Sequence, residues 1–233
     1  MEQSIQPITM PGVHSRFLEY FKEQDELPPL KVLDLGAGRG ALTQRLHLLG
    51  YEVSACDLFA EYFEYPEVKC DRVDVTEAFP YASESFDLVI AIEVTEHILD
   101  HENFFSECNR ILKPKGRLYI STPNILSLKS RMRFLFRGFP YAFKPLVLEN
   151  YDGLKHISSL SLDQYNYLSV KHNFFTAEIG VDRIQRTSLW LYGLCIPLIW
   201  LVQGIKGFDP MHNHKKLLTG RLLFMVFLKH TNK

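Results

Sequence analysis

Residues 31–40, Lys-Val-Leu-Asp-Leu-Gly-Ala-Gly-Arg-Gly, constrain the fold more than any other stretch of the 233-residue chain. Val32, Leu33 and Leu35 form a short apolar run that glycines interrupt at once. Such a run reads as a buried parallel strand breaking into a tight turn. Gly36, Gly38 and Gly40 let the backbone pass close to a ligand, where a Cβ would collide. Apolar residues then recur at Ala41, Leu42, Leu46, Leu48 and Leu49, the spacing of a helix that stops at Gly50. Strand, glycine loop and helix in that order predict an α/β chain with a ligand at the turn.

The run Gly36-Ala-Gly38-Arg-Gly40-Ala41 loosely matches a dinucleotide fingerprint. Asp34 argues against a pyrophosphate there. It sits at the carboxyl end of the strand, where its charge would repel phosphate and suit an ammonium group. A second apolar run, Val53 to Cys56, closes on Asp57. An ionised carboxylate offers two acceptor oxygens, enough for both hydroxyls of a ribose. The ligand implied carries a cation and a ribose.

Asp34-Leu-Gly-Ala-Gly-Arg-Gly40 followed by Asp57 resembles motifs I and II of the class I S-adenosylmethionine-dependent methyltransferases. Ser85-Phe-Asp-Leu-Val-Ile-Ala-Ile92 and Leu112-Lys-Pro-Lys-Gly-Arg117 resemble later strands of that family, in the family's order. The resemblance is carried by these four motifs. It implies a Rossmann-like sheet of seven strands in order 3-2-1-4-5-7-6, strand 7 antiparallel, with helices on both faces. It also implies S-adenosylmethionine as cofactor and S-adenosylhomocysteine as product. Asp34, Gly36, Ala37, Gly38 and Gly40 would lie at the methionine part, Asp57 on the ribose, and Asp74 and Val75 beside adenine. Leu58, Ile92 and Glu93 complete the expected cofactor set.

Taken in order, the chain reads as one methyltransferase domain over 1–233. Residues 1–12 are expected to form a loose arm, and 13–27 an N-terminal helix stopped by Pro28-Pro29. His14 is expected to be an exposed helix-start histidine. The third strand is placed at 68–75, the fifth at 117–122, the sixth at 174–184 and the last at 218–228. Helices are expected over 103–112 and 161–172, the second capped by Ser161. An insertion after strand 5, residues 123–160, carries Leu126 to Arg137 with four cations and no acid. It fits a lid over the acceptor pocket first, a helix on an anionic membrane second, and an RNA or phosphate contact third. A hydrophobic insertion, 188–215, precedes strand 7. Its segment 188–205 is uncharged, contains Pro197 and has Trp190 and Trp200 near its ends. It is expected to be a kinked helix or helical hairpin that meets a bilayer surface, a second copy or the core.

Net charge is −1, but it is unevenly distributed. Residues 1–123 carry 11 Lys/Arg against 21 Asp/Glu, and residues 124–233 carry 15 against 6. The basic half should face an anionic substrate or surface, or neutralise the acidic half. Cys56, Cys70, Cys108 and Cys195 form no C-x-x-C pair and read as reduced thiols. No signal peptide is expected, so the location predicted is cytoplasmic, with peripheral contact at the inner membrane surface as the elaboration.

Methyl transfer to a hydroxyl needs alignment and removal of a proton. His97 is the candidate base, with Glu96 or Glu93 to orient it and His156 near the acceptor. Glu93-x-x-Glu96-His97 also resembles the metal-binding E-x-x-E-H of ubiquinone-pathway O-methyltransferases and of small-RNA 3′-terminal 2′-O-methyltransferases. His156 follows His97 by 59 residues, close to the second histidine of the latter group. That resemblance implies a divalent cation, Mg²⁺, on Glu93, Glu96, His97 and His156. His101, His172, His212 and His214 are expected to be exposed or locally structural. Thr122-Pro-Asn-Ile-Leu-Ser-Leu-Lys-Ser-Arg131, the later Lys155-His-Ile157 and the hydrophobic segment near the C-terminus also resemble, in pattern only, methyltransferases of bacterial surface glycans or lipid-linked precursors, so the acceptor implied is a hydroxyl of a sugar, glycan precursor or other small molecule. The rivals are a quinone-type phenol, an RNA 2′-hydroxyl read through Lys129, Arg131, Arg133 and Arg137, and a non-catalytic scaffold on the same fold. Nucleic acid ranks below the small molecules as a partner.

Overall fold

The computed structural model describes residues 4–147, 153–206 and 211–231. Seven strands form one sheet: β1 Lys31–Leu35, β2 Glu52–Asp57, β3 Cys70–Arg72, β4 Phe86–Ile92, β5 Leu112–Pro123, β6 Phe174–Val181 and β7 Leu222–Lys229. Their order is β3-β2-β1-β4-β5-β7-β6. β1 pairs parallel with β2 and β4, while β7 runs antiparallel between β5 and β6. This is the predicted sheet, strand for strand. The helices are α1 Val13–Lys22, α2 Ala41–Leu48, α3 His101–Ile111, α4 Leu128–Arg137, α5 Leu162–Lys171, α6 Arg186–Lys206 and α7 Lys215–Thr219.

The central strands are apolar on both faces because helices cover both. On one side Leu33, Leu35, Val89 and Ala91 pack with Phe104, Phe105 and Tyr165 from α3 and α5. On the other, Val32, Leu88 and Ile90 meet Phe17 and Phe21 of α1 and Leu42 and Leu46 of α2. The sheet thereby presents the carboxyl ends of β1, β2 and β4 at one edge, where open α/β sheets hold ligands.

Several boundaries differ from the expected ones. β3 has three residues rather than eight, because Asp74 folds back on Thr76 and ends the ladder. β5 begins at Leu112, so Lys113 and Pro114 belong to the strand. Residues 215–219 form α7, and β7 starts at Leu222. α1 ends at Lys22, five residues earlier than expected. α6 is one continuous 21-residue helix that contains Pro197, with no hairpin. By length and composition it is long and apolar enough to cross a membrane.

The N-terminal segment is no loose arm. The Ile5 N–H donates to Gln44 Oε1 at 3.2 Å, and Ile8 lies against the glycine loop. His14 is buried rather than exposed, and desolvation lowers its pKa to about 4, with Arg45 adding to the fall. His101 is likewise buried, and its Nε2 pairs with Ser158 Oγ at 2.8 Å. His172 and His212 make local pairs with Glu102 and Asp163.

Candidate active site

A cavity of about 740 Å³ opens at the carboxyl edge of the sheet. Its floor is the glycine loop. The Gly36 and Ala37 N–H groups both donate to the Cys56 carbonyl, at 2.8 and 3.0 Å, which ties the loop to β2. Gly36 has φ +77°, and a Cβ there would come 2.4 Å from Val94 Cγ2. Both facts demand glycine at that position. Gly38 N–H donates to Asp57 Oδ2 at 2.8 Å, and Phe59 N–H to Asp57 Oδ1 at 2.8 Å. Each carboxylate oxygen thus has one fixed backbone donor and a remaining acceptor site.

Asp34 lies at the end of β1, 2% exposed, and accepts the Thr43 hydroxyl at 2.6 Å. Burial raises its pKa to about 7; the Thr43 bond opposes the rise and the charge of Asp57 adds to it. Asp74 Oδ1 accepts both the N–H and the hydroxyl of Thr76, at 2.9 and 2.7 Å, which fixes the carboxylate at the cavity wall. Leu58, Val75, Ile92 and Glu93 also line the cavity with Asp34, Gly36, Ala37, Gly38 and Asp57. Gly40 does not; it caps the start of α2 against Phe63.

The second cluster sits where β4 leaves the sheet. Glu96 is wholly buried, and neither carboxylate oxygen has a partner of good hydrogen-bond geometry among the described residues, though the Thr122 hydroxyl and its own N–H lie nearby. Burial, then the charge of Glu93, pushes the Glu96 pKa well above the usual carboxylate range. The Glu96 carbonyl accepts the N–H groups of Ile157 and Ser158, at 2.8 and 3.1 Å. That clamp brings His156 to His97, their rings 4.8 Å apart and nearly perpendicular. His97 Nδ1 lies 3.0 Å from the Lys155 carbonyl. A carbonyl only accepts, so Nδ1 carries a proton and donates it there. Burial lowers the His156 pKa to about 4, helped by His97, so its ring is neutral at pH 7. His156 Nδ1 has no hydrogen-bond partner among the described residues.

Ligand atoms of Glu96, His97 and His156 all lie within 4.8 Å of one another. Glu93, the fourth predicted ligand, is outside that group. Its backbone has φ +56°, and its N–H donates to Ser121. Its carboxyl faces Arg221; burial raises its pKa, which the charge of Arg221 and the nearby Met10 N–H oppose.

Sequence reasoning missed Arg221, Asp182 and the arm. Arg221 is 5% exposed, lines the cavity and holds Asp182 at 2.8 Å through Nε. The pair is 39 residues apart in sequence, so no local pattern could announce it. Pro7 to Met10 form part of the cavity wall, as does Tyr141 of the insertion. Three of the four cations proposed for RNA are engaged internally. Arg131 donates to the carbonyls of Leu126 and His212, Arg133 to that of Phe143, and Lys129 sits 3.9 Å over the Tyr141 ring.

Comparison with known proteins agrees with this architecture. Residues 33–120 match the family described as a methyltransferase domain. A solved S-adenosylmethionine-dependent methyltransferase from Archaeoglobus fulgidus superposes with a TM-score of 0.64, covering 93% of each chain at 15% identity, which shows the shared fold. Residues 33–120 thus match a methyltransferase domain, and the chain has the fold of the class I S-adenosylmethionine-dependent methyltransferases. Among curated relatives, the ubiquinone biosynthesis O-methyltransferase of Sinorhizobium medicae is 28% identical over 168 residues, 62% of this chain and 68% of the relative. The human mitochondrial ubiquinone biosynthesis O-methyltransferase is 30% identical over 148 residues, 57% of this chain and 40% of the relative. The chain thus spans about two thirds of the bacterial relative and less than half of the human one.

Proposed function

We propose that this methyltransferase transfers the methyl group to a hydroxyl of an aromatic or otherwise apolar small molecule, assisted by a divalent cation on Glu96, His97 and His156. The observation that carries the reading is the buried Glu96 carboxylate, without a well-placed partner among the described residues, beside the imidazoles of His97 and His156. A buried acid left unsatisfied is costly, and a cation would relieve that cost. One carboxylate with two imidazoles suits Mn²⁺, Fe²⁺ or Zn²⁺ better than Mg²⁺, which favours all-oxygen shells.

When bound, S-adenosylmethionine supplies the activated methyl, and a cation would supply Lewis acidity that lowers the acceptor hydroxyl's pKa. The chain supplies positioning. Asp57 takes the ribose hydroxyls on its remaining acceptor sites, Asp34 takes the methionine ammonium, and Asp74 and Val75 flank adenine. His97, oriented by the Nδ1 bond to Lys155, is placed to take the acceptor's proton or to ligate through Nε2. Ile8, Met10, Leu99 and Ile157 make the cavity apolar around these groups. Such walls favour a phenol over a sugar, whose many hydroxyls would lack partners. The names of the curated relatives support the phenol as well. The internal engagement of Lys129, Arg131 and Arg133 weighs against RNA.

The test is titration of Mn²⁺ followed by its free-ion paramagnetic resonance signal. The expected result is one tight site per chain in the wild type. Glu96→Gln should weaken it by about 2–3 kcal/mol, roughly 30- to 150-fold, while S-adenosylhomocysteine binding persists. Equal Mn²⁺ retention by wild type and Glu96→Gln would refute the cation site.

A further inference from the structure

The longest helix of the fold is also its most exposed apolar element. Trp190, Leu194, Leu198, Leu201 and Ile205 recur at helical spacing along one face of α6, with exposures of 80, 77, 63, 59 and 73%. The opposite face, marked by Leu191, Cys195, Ile199 and Gln203, is half-buried along the helix's length. At the C-terminal end of α4, which packs on α6, Leu135 and Phe136 are exposed to 70 and 76%. An uninterrupted apolar face of this extent marks an interaction surface.

Three observations define what covers it. The first is chain reach. A 21-residue helix is about 31 Å long. Lys206 and Met211 are five peptide links apart, a reach of at most about 18 Å. Met211 and its neighbours are anchored on the globule: Asn166 donates to Met211 Sδ, and Arg131 holds His212 and Asn213. The start of the helix is anchored too, where the Gln185 N–H donates to the Thr219 carbonyl at 2.8 Å. With both ends returned to the same body, α6 lies along the surface and cannot cross a bilayer. The second observation is charge. Exposed Arg137, Arg186, Lys215 and Lys216 belong to α4, α6 and α7, which pack together, and residues 124–147 contain no acid. A two-fold contact between copies would set this basic rim against itself, whereas an anionic surface would be drawn to it. The third is aromatic placement. Both tryptophans of the chain lie on α6, where amphipathic indoles favour the headgroup boundary.

We propose that α6, with the last turn of α4, docks this protein onto an anionic phospholipid bilayer, the helix lying in the membrane plane with its Trp190–Ile205 face inserted. Tyr141 packs against α4 and lines the active-site cavity, so the docking face adjoins the cavity wall. The proposal does not depend on the identity of the acceptor.

The two tryptophans make the test specific, because all indole emission comes from α6. Trp190→Phe and Trp200→Phe variants of the full chain are mixed with phosphatidylcholine vesicles, with and without phosphatidylglycerol, carrying bromines at shallow or deep acyl positions. The expected result is a blue shift with anionic vesicles, and shallow bromines quenching both indoles more than deep ones. Leu194→Asp with Leu198→Asp should lower vesicle affinity by roughly tenfold or more, while circular dichroism and S-adenosylhomocysteine binding show an intact fold. The proposal is overturned by an absence of vesicle-dependent change, by equal binding to neutral vesicles, or by stronger quenching from deep bromines, which marks a crossing helix. It is also overturned by lipid-free protection of the indoles from aqueous iodide that grows with protein concentration, which marks a second copy.

Discussion

The proposed role of Asp34 on the methionine ammonium would couple cofactor binding to pH. The folded Asp34 pKa of about 7, set first by burial, means that the empty site holds a proton there through the acidic range. A methionine ammonium needs the ionised form. If only that form binds, apparent affinity falls by the factor 1 + 10^(pKa − pH). Between pH 7.5 and 5.5 the loss is roughly 25-fold, about 1.9 kcal/mol. His14 and His156, both depressed to about 4, stay neutral across that window and do not mimic the effect. Calorimetric titration of S-adenosylhomocysteine at a series of pH values reads the affinity directly. Asp34→Asn should bind weakly at every pH, with the inflection near 7 removed. The same shift has a stability consequence of opposite sense. The folded state binds the proton more tightly than the unfolded chain, so stability falls as pH rises from about 4 to 7, by about 4 kcal/mol. Asp34→Asn should therefore be the more heat-resistant protein at pH 8. A wild-type affinity that is flat from pH 5.5 to 7.5 would refute the assignment of Asp34 to the ammonium.

Gly36→Ala places a Cβ 2.4 Å from Val94 Cγ2 at a positive φ; it should cost about 1–3 kcal/mol, visible as a lowered Tm in scanning calorimetry. Asp57→Asn leaves only one acceptor oxygen for the Gly38 and Phe59 N–H groups, so S-adenosylhomocysteine affinity should fall by about 1.5–3 kcal/mol in titration. Removal of residues 1–12 takes away the Pro7–Met10 wall and the Met10 N–H near Glu93; stopped-flow fluorescence should show faster cofactor release, by roughly tenfold.

The sheet was legible because each central strand is a short apolar run ended by a glycine or an acid, and the order of those runs is the order of the family. Asp34 and Asp57 were legible for the same reason: strand ends put them at the ligand edge. The strand ends that were misplaced lie where a side chain overrides the pattern, as when Asp74 turns back on Thr76. Burial of His14 was not legible, because it depends on Ile5 to Met10 crossing the glycine loop, a contact with no periodicity. The approach of His156 to His97 was suggested only by resemblance; physically it follows from the Glu96 carbonyl taking two N–H groups of the insertion. Glu93 was expected beside Glu96, but its positive φ turns it to Arg221, a residue 128 positions later in the chain.

The most direct measurement is transfer of labelled methyl from S-adenosylmethionine to a simple dihydroxybenzene acid, with the protein first stripped by chelator and then restored with Mn²⁺. The account predicts turnover by wild type that chelation removes and Mn²⁺ restores, with none from Glu96→Gln despite retained cofactor binding. Wild-type turnover that chelation leaves unchanged, or Glu96→Gln turnover equal to that of Mn²⁺-restored wild type, would contradict it.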